Sequence, residues 1–293
     1  MKKRWLGLIA VVGIATLAAS SLSRAAPDRT GWPVQLSFGL IPLEQSNETA
    51  TRFDPFVKYL ESKLGLKIRA YYGADYAAII VGLGARSVDM AYLGPLAYVK
   101  AAQQSGAQPF ARENTLKTGL GYSGVIVSRA DGKIKNFADA KAKSFAFVDP
   151  NSASGYLLPM VHFYQDLKIN PQTYFKNVSF LGSHEASIEA VIEGEVQVAA
   201  TNDREIEIAI RDGEIKSAGD LNILWKSKPI PTSPLVYRKE LPESLKTALR
   251  EATLSFNDKP ALERLGIKGF VPARDAEYDP IRKLEAFKST LGR

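Results

Sequence analysis

The stretch Asp149-Pro150-Asn151-Ser152-Ala153-Ser154-Gly155 joins an apolar run to a segment with a helical pattern. The run before it, residues 145–148, is typical of a buried strand, and residues 156–164 after it are typical of a helix. We therefore expect two serine hydroxyls and several backbone N–H groups at a strand-to-helix turn. A helix N-terminus has unpaired N–H donors and the positive end of the helix dipole, which suit a tetrahedral oxyanion. An ordinary serine N-cap would explain the same residues, so the stretch alone leaves both interpretations open.

Strand-like and helix-like segments alternate along the rest of the chain. Residues 34–41 alternate between apolar and polar and then become continuously apolar, which predicts a strand. Residues 53–64 have apolar residues at helical spacing and are followed by Gly65, which predicts a helix that ends there. Further strands are predicted at residues 66–72, 88–93, 121–127, 178–181, 196–201, 221–225 and 234–238. Further helices are predicted at residues 74–85, 95–104, 186–193, 202–210, 241–256 and 278–291, and a short one is predicted to start at 134–140. This alternation predicts an α/β fold with parallel sheets joined by right-handed crossovers.

The number of predicted strands exceeds what one small sheet would hold, so we expect two α/β lobes. The chain would leave the first lobe near residues 121–127 and return near residues 234–238. Two crossings make a hinge, and a cleft lies between the lobes. The predicted boundaries are residues 33–120 with 236–293 for lobe 1, and residues 121–235 for lobe 2.

The start of the chain has the composition of a secretory signal. Lys2-Lys3-Arg4 is followed by an apolar run to Leu22 and by small residues around Ser23-Arg24-Ala25. We predict a signal peptide over residues 1–26 and export to the periplasm; a retained membrane anchor is the alternative. Without this segment 34 of the 38 basic residues remain against 31 acidic ones. This small excess of positive charge is spread along the chain and forms no dense basic tract, so we expect no nucleic-acid partner.

The sequence offers little for catalysis. It has no cysteine and two histidines, which excludes disulfides, thiol chemistry and cysteine-based metal sites and disfavours a histidine-rich one. It has no P-loop, no G-x-S-x-G elbow and no H-E-x-x-H motif. A triad of Ser152, His184 and Glu205 is conceivable, but their spacing does not require it. We therefore predict no enzyme, no cofactor and no metal, with a secreted hydrolase or a ligand-sensing module as alternatives to a binding protein.

Four motifs together resemble a known family. They are Asp75-Tyr76-Ala77-Ala78-Ile79-Ile80, Val88-Asp89-Met90-Ala91-Tyr92-Leu93-Gly94-Pro95-Leu96, the stretch from Asp149 to Gly155, and Gly182-Ser183-His184-Glu185-Ala186. In this order and spacing the chain is similar, over about residues 36–291, to the periplasmic phosphonate-binding component of ABC importers. Relatives of that component bind phosphite and hypophosphite. The resemblance implies a type II periplasmic-binding-protein fold, a two-lobed Venus flytrap with two hinge crossings that closes on its ligand. It also implies a monomer whose partner is an ABC permease in the inner membrane.

The resemblance also implies roles for individual residues. Ser152 and Ser154, with nearby N–H groups such as that of Ala153, would meet the phosphonate oxygens, and His184 would be a further donor. Tyr76 from lobe 1 and Tyr122 from the hinge strand would close over the ligand.

Two departures from the family pattern bear on the ligand. Relatives often carry Thr where this chain has Ala153, so one hydroxyl donor is missing. Glu205 falls where an aminoalkylphosphonate binder places an acid against the ligand amine, but Ser233 stands at the position of a second acid. An alkylphosphonate such as methylphosphonate is therefore favoured, with phosphite and phosphate as alternatives.

Overall fold

The computed structural model of the chain describes residues 28–43 and 46–290, so the predicted signal peptide lies outside the described residues. Its strands are β1 (Gln35–Leu40), β2 (Lys67–Tyr72), β3 (Met90–Tyr92), β4 (Gln108–Thr115), β5 (Gly121–Tyr122), β6 (Gly124–Arg129), β7 (Ser144–Phe147), β8 (Asn177–Phe180), β9 (Val198–Asn202), β10 (Leu221–Lys226), β11 (Ile230–Pro231), β12 (Pro234–Tyr237) and β13 (Ile267–Pro272).

Its α-helices are α1 (Ser46–Leu64), α2 (Tyr76–Gly84), α3 (Pro95–Ser105), α4 (Leu158–Val161), α5 (Pro171–Tyr174), α6 (His184–Glu193), α7 (Asp203–Asp212), α8 (Glu243–Leu254), α9 (Lys259–Leu265) and α10 (Asp279–Lys288). Two π-helical turns, Ala153–Leu157 and His162–Asp166, flank α4. Within the described ranges, no helix combines the length and apolar character needed to span a membrane.

The strands form two large sheets and one small one. The six-stranded sheet has the order β13-β4-β12-β3-β1-β2, and the five-stranded sheet has the order β10-β6-β9-β7-β8. The prediction of parallel sheets is only partly correct, because β12, β13 and β6 run antiparallel to their neighbours. For β6 the reason is local: only turns, and no helix, connect it to β7 of the same sheet, whereas parallel strands need a crossover connection.

Each large sheet carries its own aromatic packing. Phe38 of β1 meets Phe53 and Phe56 of α1 edge-on, with ring centroids 6.1 and 6.3 Å apart. Phe145 of β7 packs against Phe163 and Phe175, at 5.3 and 4.6 Å. All six rings are buried, so the apolar spacing in the sequence marks the faces that cover the sheets.

Two short strands lie where the chain passes between the large sheets. Strand β5 pairs with β11 in an antiparallel two-stranded sheet, with Tyr122 opposite Ile230 and Gly121 opposite Pro231. The backbones are close enough that a Cβ on Gly121 would lie 3.3 Å from the Ile230 carbonyl oxygen. Strands β5 and β11, close to the two predicted crossings, are therefore paired with each other.

The short helix predicted to start at residues 134–140 is wrong, because turns occupy that stretch. Side chains bond the backbone there: Asp139 Oδ2 accepts from the Lys135 N–H at 2.9 Å, and Asn136 Oδ1 accepts from the Asp139 N–H at 3.1 Å. Such local bonds from Asp and Asn compete with helical ones.

Candidate ligand-binding site

Three helical segments begin at one edge of the five-stranded sheet. Strands β7, β8 and β9 are mutually parallel, so their carboxyl ends share that edge, where open α/β sheets bind ligands. The segment after each strand is capped by a polar side chain, namely Ser152, Ser183 and Asn202. The edge therefore presents several helix N-termini and their unpaired N–H groups together.

Ser152 caps the helical segment that follows β7. Its Oγ accepts a hydrogen bond from the Gly155 N–H at 3.0 Å, so the N-cap interpretation is correct. Because the oxygen acts as acceptor there, the Ser152 O–H remains able to donate to another group. The helix opens with a π-helical turn, in which the Leu158 N–H bonds the Ala153 carbonyl. Single π turns occur frequently at functional sites.

Two glycines allow this turn to pack closely against the sheet. A Cβ on Gly155 would lie 2.4 Å from Cγ2 and 2.5 Å from Cβ of Val148. A Cβ on Gly124, in β6, would lie 2.9 Å from the Ser154 carbonyl oxygen. These distances leave no room for any larger residue without movement of the turn. The position of Ser154 thus depends on glycine at both places.

His184, the first residue of α6, faces the two serines. Its Nε2 lies 3.4 Å from Ser152 Oγ and 3.5 Å from Ser154 Oγ, and its Nδ1 lies 3.2 Å from Thr201 Oγ1. Burial, reinforced by the nearby positive charge of Arg204, lowers the pKa of His184 to about 3. The ring is therefore neutral at neutral pH and carries one N–H and one lone pair.

A narrow cavity with a volume of about 20 Å³ lies at this edge, between the two large sheets. It is lined by Ile41, Leu43, Tyr76, Tyr92, Gly94, Tyr122, Ser152, Ala153, His184, Asn202, Arg204, Glu205 and Ser233. Six of the seven residues singled out in the sequence line it, and the seventh, Ser154, lies next to it through its contact with His184. Sequence reasoning missed Tyr92, Asn202 and Arg204.

Three tyrosines form much of the cavity wall. Tyr76, Tyr92 and Tyr122 are all buried. Burial, with the charge of Asp149 as a smaller cause, raises the pKa of Tyr76. Burial also raises the pKa of Tyr122, partly opposed by the adjacent Ser154 hydroxyl. These phenols are neutral at physiological pH, so each offers an O–H and a flat apolar face.

Glu205 is buried rather than on a solvated helix face, with only 3% of its surface exposed. Its Oε1 lies 3.9 Å from Nη1 of Arg52, and its Oε2 lies 4.0 Å from Nη1 of Arg204. The carboxylate therefore has two cationic neighbours that belong to the protein. In the sequence the run Asp203-Arg204-Glu205 has the polar composition of an exposed helix start, so it gave no sign of this burial.

His162, the other histidine, lies apart from the cavity. Its ring stacks on Trp225 with centroids 4.5 Å apart, and its Nδ1 lies 2.7 Å from Asp166 Oδ2. It is a packed histidine of the π-helical turn His162–Asp166, which lies against β10 of the five-stranded sheet. Among the residues that the structure describes, no group of three or more His, Asp or Glu side chains is placed to hold a metal ion.

Comparison with known proteins places this architecture in a family. Residues 38–278 match the family described as "ABC transporter, phosphonate, periplasmic substrate-binding protein", and the chain belongs to that family. It is a family of periplasmic substrate-binding proteins of ABC transporters, not of enzymes. The resemblance noted in the sequence is thereby confirmed, and so is the expectation of a non-enzymatic binding protein.

Individual relatives agree with this assignment. The phosphonates-binding periplasmic protein of Escherichia coli is 32% identical over 265 residues, which cover 88% of this chain and 78% of that protein. The phosphate-import protein PhnD of Mycolicibacterium smegmatis is 29% identical over 295 residues, which cover 92% of this chain and 91% of that protein. The crystal structure of a binding protein component of an ABC phosphonate transporter from Pseudomonas aeruginosa superposes with a TM-score of 0.82 at 31% identity, covering 88% of this chain and 87% of that one. The predicted two-lobed α/β fold is confirmed by these neighbours.

Proposed function

We propose that this protein binds an alkylphosphonate in the cavity between its two sheets and delivers it to an inner-membrane ABC permease. The observation that carries the proposal is the convergence of Ser152, Ser154 and His184 at a helix N-terminus beside a cavity between the two sheets. The predicted signal peptide over residues 1–26 would export the chain to the periplasm, where we expect it to act as a monomer.

The phosphonate oxygens would occupy the corner formed by the two serines and the histidine. The Ser152 and Ser154 hydroxyls and the N–H groups of Ala153 and Ser154 are donors, and hydrogen bonds to an ionised acceptor are the stronger kind. The neutral ring of His184 contributes one more hydrogen-bonding nitrogen, and Thr201 fixes its orientation from the other side. The helix N-terminus adds a favourable electrostatic term for an anion.

The rest of the cavity fits an uncharged substituent better than an ammonium group. Ile41 and Leu43 provide an apolar wall beside the tyrosine rings. Glu205 is engaged with two arginines, and Ser233 supplies no second carboxylate. An ammonium would have to lose its hydration and compete with Arg204 for Glu205, which is costly in a buried site.

Phosphate is the second candidate, because the chain is 29% identical to a phosphate-import protein. A phosphate would direct a fourth oxygen toward the apolar wall of Ile41 and Leu43. A buried oxygen without a partner is penalised by its lost hydration, whereas a methyl group in that place is not. The apolar wall therefore favours methylphosphonate over phosphate.

We further propose that closure of two lobes encloses the ligand, with lobe 1 comprising residues 33–120 and 236–293 and lobe 2 comprising residues 121–235. The paired strands β5 and β11 would serve as the hinge, because both crossings of the chain lie there. Tyr76 from lobe 1 and Tyr122 from the hinge would then touch the ligand only in the closed form, so that the ligand favours closure.

Calorimetric titration of the signal-free protein tests the proposal. The ligands are methylphosphonate, ethylphosphonate, 2-aminoethylphosphonate, phosphite and phosphate. We expect one-to-one binding with the alkylphosphonates tightest and the amino ligand weaker. Tightest binding of phosphate would replace the proposed ligand by the second candidate, and binding of none would overturn the oxyanion role of Ser152 and Ser154. Absence of turnover in the same samples separates binding from hydrolysis.

A further inference from the structure

We propose that Arg204 is the positioning residue that couples occupation of the cavity to closure of the two lobes. The proposal rests on the proposed function for the identity of the ligand. Arg204 is the second residue of α7 and follows β9 of the five-stranded sheet, so it belongs to the ligand-binding edge. Its role is distinct from that of the serines, because its bonds reach across to the other sheet.

Arg204 bonds two groups on the side of the six-stranded sheet. Its Nη2 donates to Glu113 Oε1, in β4, and to the Leu265 carbonyl oxygen at the end of α9, both at 2.9 Å. Arg204 is 8% exposed and Glu113 is 1% exposed, so this ion pair is shielded from solvent. Burial works against the charge on Arg204, but the Glu113 carboxylate raises the pKa of the guanidinium above its usual value.

The same guanidinium faces the ligand site. Arg204 lines the cavity together with Ser152 and His184, and its positive charge helps to lower the pKa of His184. Its Nε is buried and has no hydrogen-bond partner among the described residues. An anion at the two serines would therefore meet a cation that is only partly satisfied by the protein.

One other buried cross-link joins α7 to the six-stranded side, but it is looser: Glu205 Oε1 lies 3.9 Å from Arg52 Nη1. The cross-links through Arg211 and Lys117 are more exposed. Arg211 Nη1 donates to the carbonyl oxygens of Glu263 and Arg264 at 2.8 and 2.7 Å, and Lys117 Nζ lies 3.6 Å from Glu207 Oε1. The Lys117 side chain is 67% exposed. Exposed ion pairs contribute little, whereas breaking a buried pair leaves an uncompensated charge. The link through Arg204, which is both buried and hydrogen-bonded at 2.9 Å, is thus the one expected to govern closure.

Ligand binding would be coupled to closure because closure removes water from the charges of Arg204 and Glu113. When the lobes separate, Arg204 and Glu113 regain water, and when they close, both lose it. An anion beside Arg204 offsets part of the cost of burying the guanidinium, so closure becomes more favourable once the cavity is occupied. Because apparent affinity scales with the fraction of protein in the competent form, loss of the Glu113 carboxylate weakens binding without removing a residue of the cavity lining.

Single-molecule energy transfer measures closure directly in this chain. Because it has no cysteine, dyes can be placed through Val81→Cys on α2 and Lys133→Cys on the other side, both exposed positions. The variants are Glu113→Gln, Arg204→Gln and the double variant, with Lys117→Gln as the matched control of an exposed cross-link. Each is titrated with methylphosphonate, by energy transfer and by calorimetry.

We expect Glu113→Gln to need about tenfold or more methylphosphonate for half-closure, a typical size for coupling between sites. The double variant should lose no more than Arg204→Gln alone, because the pair acts as a unit. Lys117→Gln should close within about twofold of the parent, as expected for an exposed pair. A folded Glu113→Gln protein that closes and binds at the parent's ligand concentrations would overturn the proposal.

The ligand-free samples separate this proposal from the proposed function. If the parent protein binds none of the phosphorus oxyanions, the proposed function fails, but the ligand-free distribution of distances still tests the link. A shift of Glu113→Gln toward the open form would uphold Arg204 as the closure residue. Identical distributions for the parent and the variant would refute it.

Discussion

Removal of the Ser154 hydroxyl should weaken ligand binding more than it weakens the fold. Ser154 is fully buried, and its Oγ lies 3.5 Å from His184 Nε2 at the proposed oxygen-binding corner. A hydrogen bond to a charged partner is worth about 1.5–3 kcal/mol. Ser154→Ala should therefore raise the Kd for methylphosphonate about 10- to 150-fold.

The assay is calorimetry at neutral pH, with thermal unfolding of each sample to show that it is folded. Ser187→Ala is the matched control, because Ser187 is also fully buried and its Oγ donates to the backbone oxygen of Ser183 at 3.1 Å, on α6 and not in the cavity lining. The control should keep its Kd within about twofold, as expected for a residue without ligand contact. A folded Ser154→Ala protein with the parent's Kd would remove Ser154 from the site.

Three further predictions use other parts of the site. Since the pKa of His184 falls to about 3 on folding, the unfolded chain takes up a proton below about pH 6.5 that the folded protein does not. Stability should then decrease as the pH is lowered from about 6.5 to about 3, by at most about 1.4 kcal/mol per pH unit, and in thermal melts His184→Gln should lessen this slope. Gly155→Ala should lower stability by about 1–3 kcal/mol and weaken methylphosphonate binding, because its Cβ would overlap Val148; a normal melt and Kd would contradict the packing argument. Glu205→Gln should alter the Kd of 2-aminoethylphosphonate no more than that of methylphosphonate, and a selective loss for the amino ligand would show that Glu205 binds the amine.

Most elements could be predicted where periodicity and burial coincide, but β4 could not. This strand, Gln108–Thr115, contains Arg112 and Glu113, both buried. Their charges are compensated by distant residues, with Arg112 3.0 Å from Glu277 and Glu113 2.9 Å from Arg204. Hydropathy along the chain does not reveal such pairing, so a buried strand has the appearance of a loop.

The site was predictable in part for a similar reason. Ser152 and Ser154 stand out because a strand, two hydroxyls and a helix follow one another in the sequence. His184 and the two tyrosines depended on the resemblance, since a lone histidine or tyrosine is usually packed or exposed without a role. Arg204 was missed because its importance comes from β4 and α9, which lie 91 and 61 residues away along the chain.

Ser152 has two roles in the proposed site, since its oxygen caps a helix and its hydroxyl hydrogen is available to donate to the ligand. Any replacement there that loses the cap costs about 1 kcal/mol of stability in addition to affinity. Ile41, Leu43 and Ser233 line the cavity without capping a helix. Mutational drift at these three positions can therefore change the preferred substituent at little risk to the fold. Among proteins that share this fold, we expect these three positions to vary with the ligand, while the residues proposed to bind the ligand oxygens stay the same.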